Sequence, residues 1–170
     1  GLLSYTFWGL SPLYWKMLDD ATGLEILSHR IVWSTVVLSL AVLVQHRMGE
    51  FIAIFRDKKT LFLLILSSVT ISVNWGTYII AVNTNNILQA SLGYYINPFM
   101  SMLFGVLFFK EHMTKLQLFS LGVAASGVLV YASGLSSFPW ASLTLAFSFA
   151  AYGAIRKYVK VLPMTGLLAE

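Results

Sequence analysis

Three ionisable side chains fall close together in an otherwise apolar stretch: Glu25, His29 and Arg30, in Glu25-Ile26-Leu27-Ser28-His29-Arg30. Glu25 and His29 share one helix face, and Arg30 is turned about a quarter-circle away. A carboxylate, an imidazole that titrates near neutrality and a fixed guanidinium are the groups needed to orient a charged solute and carry a proton. Inside an apolar helix such groups are costly and by default mark a site or a buried pair. A plainer role stands beside each: Glu25 as the acid of a helix cap, Arg30 reaching toward headgroups or an ion pair, His29 as an inert hydrogen-bonding group. Further polar groups follow at Asn74 and Tyr78, then at Ser91, Tyr94, Tyr95, Asn97 and Pro98. Pro98 leaves the carbonyl of Tyr94 without its helical donor, and backbone freed at depth is tolerated only where protein or a cavity surrounds it. Substrate binding or coupling is the chemistry expected of these residues, with helix packing by small and polar groups as the alternative for each. Gly9 and Pro12 read as a close-packing position and a kink.

The elements that carry these residues must be membrane spans. Hydrophobic residues make up 58% of the chain and charged residues only 11%. A water-soluble domain needs about a quarter charged residues to cover its surface. A span takes roughly 20 apolar residues to cross about 30 Å. Six stretches fit or nearly fit: residues 2–17, 26–45, 61–82, 88–109, 116–133 and 140–155. Thr22-x-x-Glu25, Asn86-x-x-Gln89 and Thr114-x-x-Gln117 each have the spacing of a capping box. Short connections make consecutive helices antiparallel neighbours. The predicted class is an all-α integral membrane bundle.

Charge gives an orientation. Arg47, Arg56, Lys58 and Lys59 fall between the second and third stretches, Lys110 and Lys115 between the fourth and fifth, and Arg156, Lys157 and Lys160 after the sixth. The alternate loops hold no Lys or Arg, so the basic loops and the N-terminus are expected on the cytoplasmic side. The formal net charge of +4 is thus topological, and nucleic acid is not an expected partner. The absence of cysteine excludes disulfides and thiolate metal sites. No HExxH, G-x-S-x-G or phosphate loop occurs, so neither catalysis nor a cofactor is expected.

The two ends of the chain resemble each other. Leu3-Ser4-Tyr5-Thr6-Phe7-Trp8-Gly9 matches Phe147-Ser148-Phe149-Ala150-Ala151-Tyr152-Gly153 in the pattern Ser-aromatic-x-x-aromatic-Gly, and Thr22-Gly23-Leu24 recurs as Thr165-Gly166-Leu167. A unit of five helices, an odd number, enters the membrane from the opposite side in its second copy, the inverted repeat of secondary transporters. The expected division is a first five-helix repeat over residues 1–134 and the start of a second over 135–170, within a longer protein of about ten spans.

Particular segments resemble a known family. Glu25-Ile26-Leu27-Ser28-His29-Arg30-Ile31-Val32-Trp33-Ser34, Asn74-Trp75, Ala90-Ser91-Leu92-Gly93-Tyr94-Tyr95-Ile96-Asn97-Pro98 and Phe147–Gly153 are similar to RarD-type proteins. These form a branch of the EamA family in the drug/metabolite transporter superfamily. The resemblance implies a bacterial inner-membrane carrier with two inverted five-helix repeats, a central cavity lined by its first four helices and their counterparts, and alternating access. The expected function is movement of a small amphipathic metabolite or drug, outward. The expected partners are the lipid bilayer and that solute, with a homodimer left open. A scaffold that uses its helices only for packing is the rival from another class.

Overall fold

The computed structural model describes residues 2–17, 21–134 and 138–170. Among them are eight helices: α1 Leu2–Lys16, α2 Gly23–Val44, α3 Met48–Ile54, α4 Lys58–Asn83, α5 Ile87–Phe109, α6 Lys115–Ser133, α7 Trp140–Tyr158 and α8 Pro163–Ala169. The six longer ones occupy the six expected stretches. The seven-residue helices α3 and α8 were not expected, being too short to show a sustained apolar period. Four helices, α2, α4, α5 and α6, are long and apolar enough to cross a membrane. The 15 residues of α1 reach only about 22 Å at 1.5 Å per residue, and α7 ends on Arg156 and Lys157 in its last turn.

Local chemistry sets the helix ends. Thr22 and Thr114 form full capping boxes with Glu25 and Gln117. Asn86 does not cap α5: its amide instead donates to Thr84 O and Oγ1 at 3.2 and 3.0 Å. The reason lies in the preceding turn. Asn85 is left-handed (φ 60°) and Asn86 N–H closes on Ala81 O at 2.7 Å, so the Asn86 backbone is not extended as an N-cap must be. A similar closure on a left-handed residue ends α2 at His46, where Arg47 N–H bonds Val42 O five residues back, and α5 at Lys110, where Glu111 N–H bonds Gly105 O six residues back. Asp57 caps α4, accepting from Lys59 N–H at 3.1 Å and Thr60 Oγ1 at 2.5 Å. These bonds, Thr60 first, hold its carboxyl below the usual range. The cap is therefore present above the ordinary carboxylate pKa and is lost as pH falls through the depressed value.

Cross-helix contacts give the topology. Gly23 lies against Ile79 and Ile80, and Leu27 against Gly76, so α2 and α4 are antiparallel. Phe104 meets Phe147 and Phe109 stacks on Tyr158, so α5 and α7 run parallel. The alternation of direction is as expected, but strict neighbour order is not: α7 packs against both α4 and α5 more extensively than those two pack on each other. The basic ends of α2, α4, α5, α6 and α7 thus lie together.

Small and polar residues bring α7 in closely. A Cβ on Gly93 would lie 2.9 Å from Leu145 Cβ and 3.0 Å from Ser142 O. Ser142 Oγ donates to Gln89 O at 2.6 Å. One apolar cluster, with Ile26, Tyr78, Ile79, Val82, Ala90 and Leu145, fills the end away from the basic loops. A smaller one, Ile54, Leu64 and Val159, lies at the basic end. Helix α6 has no buried residue, and Leu116, Phe119, Leu129 and Val130 are largely exposed. Its glycines Gly122 and Gly127 meet nothing within 4 Å of a built Cβ.

Candidate transport site

The N-terminal end of α2 is clamped on α4 through Gly23 and Leu27, which places Arg30 one turn further along. Its guanidinium carbon lies 3.7 Å from the centre of the Trp75 ring. Such stacking holds the planar cation in place. Tyr78, one turn along α4, meets Tyr94 of α5 edge-on, with centroids 5.9 Å apart. Tyr94 also lies within electrostatic reach of Arg30. Arg30, Trp75, Tyr78 and Tyr94 therefore form one cluster across three helices. They sit about 7–12 Å along their helices from the end away from the basic loops.

The other expected residues divide. Glu25 serves the cap, its Oε2 accepting from Thr22 N at 2.7 Å and Oγ1 at 3.0 Å. His29 is exposed beside it. Asn74 is buried and faces α7, with Nδ2 donating to Leu145 O at 2.9 Å and Ser148 Oγ at 3.0 Å. Ser91 and Asn97 are partly buried, and Asn97 Oδ1 accepts from Ser101 Oγ at 3.3 Å. Tyr95 and Pro98 are exposed, and α5 continues as helix through Pro98. Gly9 has nothing within 4 Å of a built Cβ, so no close approach is made there among the described residues. Helix α1 runs on through position 12, while the Pro12 side chain, like those of Trp8, Trp15 and Lys16, lies outside the described residues.

Asn74→Leu tests the packing role. Losing both bonds should cost about 1 kcal/mol, the usual scale of an interhelical hydrogen bond in lipid. The expected result is a lower melting temperature in detergent, with Ser148→Ala losing less because its own helix still supplies the Leu145 carbonyl.

A second polar cluster was missed in the sequence. Near the basic end, Glu170 accepts from Ser67, Tyr152 and Arg156. By sequence position alone Arg156 groups with the basic loops. The available signal was an acid following the apolar Leu167-Leu168-Ala169.

Apolar helices of spanning length, with an exposed apolar exterior and polar groups gathered between helices, define an α-helical integral membrane protein. The chain belongs to the EamA-like transporter family, whose profile matches residues 1–133. It is 44% identical to "Protein RarD" of Streptomyces exfoliatus over 100% of this chain and 54% of that protein. It is 43% identical to "Uncharacterized transporter YojE" of Bacillus subtilis over 99% of this chain and 57% of that protein. To "Chloramphenicol-sensitive protein RarD" of Pseudomonas aeruginosa it is 28% identical over 94% of this chain and 54% of that protein. The chain spans about half the length of the curated relatives it matches. No solved structure matches it.

Proposed function

We propose that this chain forms the first five-helix repeat, and the opening helix of an inverted second repeat, of a secondary transporter in the bacterial inner membrane. It moves a small amphipathic metabolite or drug outward by alternating access, with the N-terminus in the cytoplasm. The observation that carries this reading is Arg30 stacked on Trp75 beside Tyr78 and Tyr94. A fixed cation with aromatic walls suits a solute that has an anionic group and an apolar body. Glu25 and His29 stand at the mouth of this site, where they orient the solute or pass a coupling proton. Tyr95, Ser91, Asn97 and Pro98 lie on the same helix as Tyr94, on faces left for the second repeat to complete. The inverted repeat is supported by the matched motifs: Ser-aromatic-x-x-aromatic-Gly falls in α1 and α7, and Thr-Gly-Leu falls at the start of α2 and in α8. Membership of a transporter family supports transport over catalysis.

The test is the extracellular metabolite profile of cells expressing the complete reading frame, compared with cells lacking it. A solute that accumulates outside only with the protein supports export. An unchanged profile across a broad panel, together with unchanged uptake of the same panel, sinks the transport reading. The buried Asn74 favours a scaffold in one respect, since its amide is spent on packing. Cysteines at positions 30, 74 and 95 separate the two readings. A transporter exposes 30 and 95 to aqueous thiol reagents and shields 74, whereas a scaffold shields 30 as well.

A further inference from the structure

The geometry points to Glu170 as a proton-carrying carboxylate, seated between α4 and α7 in a site built for both of its protonation states. Its side chain is 2% exposed. Oε1 accepts from Ser67 Oγ at 2.6 Å and from one Arg156 nitrogen at 3.2 Å, and Oε2 accepts from Tyr152 OH at 3.2 Å. Ser67 lies about 14 Å along α4 from Lys58, well inside the apolar span. A carboxylate at that depth needs its charge compensated. The compensation here is partial, because the guanidinium makes a single contact to the carboxylate and not the bidentate pair that a purely structural bridge favours.

The serine decides the matter. Its hydroxyl has one hydrogen, yet it stands within bonding distance of two acceptors, Glu170 Oε1 at 2.6 Å and Leu64 O at 2.9 Å. With Glu170 ionised, the Ser67 O–H donates to the carboxylate. With Glu170 protonated, the new acid O–H donates to Ser67 Oγ, and the serine hydrogen turns to Leu64 O. Tyr152 donates to Oε2 in the ionised form, and this oxygen remains an acceptor when the proton sits on Oε1. The step is one proton taken from water onto Oε1, with no other bond made or broken, and its reversal returns that proton to water. No heavy atom has to move, so neither form leaves a buried group unsatisfied.

Other charges are placed apart from this exchange. The inner half of α2, residues 31–44, has no ionisable side chain. From the α3 side, Glu50 and Asp57 line a separate cavity with Lys160, Thr165 and the turn before α8. On α7, Lys157 is turned outward to pair with Glu111. Among the described residues, Arg156 and Tyr152 are thus the titratable groups that face Glu170 directly. The use of this proton to drive solute movement rests on the transport reading above. The proton site itself does not.

The test reads the carboxylic acid directly. Infrared difference spectra of the purified, complete protein in lipid, taken between high and low pH with no solute present, should show a protonated-acid carbonyl band. That band should be missing in Glu170→Gln and shifted in frequency in Ser67→Ala, where the acid O–H has lost its acceptor. A band set identical in all three proteins overturns the proposal. Should Glu170→Gln fail to fold, Ser67→Ala and Glu170→Asp carry the same decision, since each keeps the acid and changes its partner. Coupling is read separately in vesicles: the profiled solute should exchange through Glu170→Gln but lose its accumulation under a pH gradient. Undiminished accumulation overturns the coupling role, and no solute flux in the unmutated protein fails the transport reading alone.

Discussion

Replacing Arg30 with alanine is expected to abolish transport while leaving the protein at its normal level in the membrane. Insertion and α2 docking do not depend on this side chain. They rest on the Thr22–Glu25 capping box, on Gly23 against Ile79 and Ile80, and on Leu27 against Gly76. What the substitution removes is the guanidinium held against Trp75 in the cluster with Tyr78 and Tyr94. A hydrogen bond to a charged group contributes about 1.5–3 kcal/mol, which is roughly a ten- to hundred-fold loss of affinity. Arg30→Lys should fall between the two, because an ammonium keeps the charge but loses the planar fork and most of the stacking. The measurement is concentration-dependent flux of the profiled solute at matched membrane levels. Equal flux in the alanine variant would leave the Arg30–Trp75 contact as packing and move the binding site elsewhere.

Gly93→Val should be the most damaging single change to the fold. Even a methyl group at position 93 would lie 2.9 Å from Leu145 Cβ and 3.0 Å from the Ser142 carbonyl. Both belong to the body of α7, not to the tip of a flexible side chain, so the helix itself must withdraw. Withdrawal also stretches Ser142 Oγ from Gln89 O and Leu145 O from the Asn74 amide. Overpacking alone costs about 1–3 kcal/mol, or roughly 2–12 °C in melting temperature for a domain of this size. Gly93→Ala should show the lower part of that range. Valine should show the upper part or lose the folded protein. The control is Gly122→Ala on α6, where a Cβ meets nothing within 4 Å and the melting temperature should hold. A Gly93→Ala protein as stable as the parent would show that α7 does not seat against α5 at this point.

The helices and their two best caps were legible because apolar length and Ser/Thr-x-x-Glu/Gln spacing are local properties. Thr22 and Thr114 behave as their neighbours dictate. Asn86 does not, because the turn before it takes a left-handed residue at Asn85 and removes the extended backbone a cap requires. Arg30 and the tyrosines could be selected from sequence as ionisable or polar groups at depth. Their grouping with Trp75 depends on α2 crossing α4 at Gly23 and Gly76, which no local pattern encodes. Asn74 shows the converse limit: its type and place in a span are legible in the sequence, but only the position of α7 reveals what its amide bonds. The Glu170 cluster was hidden for the same reason, its four members being drawn from residues 67, 152, 156 and 170.

The seating of α7 between α4 and α5 has a consequence for synthesis. Those two helices leave the ribosome first, and the helix that fills the space between them is complete only when Tyr158 has been made. From Phe109 to Tyr158 is roughly 50 residues, a wait of about 3–10 s at ordinary elongation rates. Throughout that interval Asn74 has no α7 carbonyl to bond, and Gly93 faces an open groove. Assembly of this bundle is therefore paced by translation, with its central contacts closing late and out of chain order.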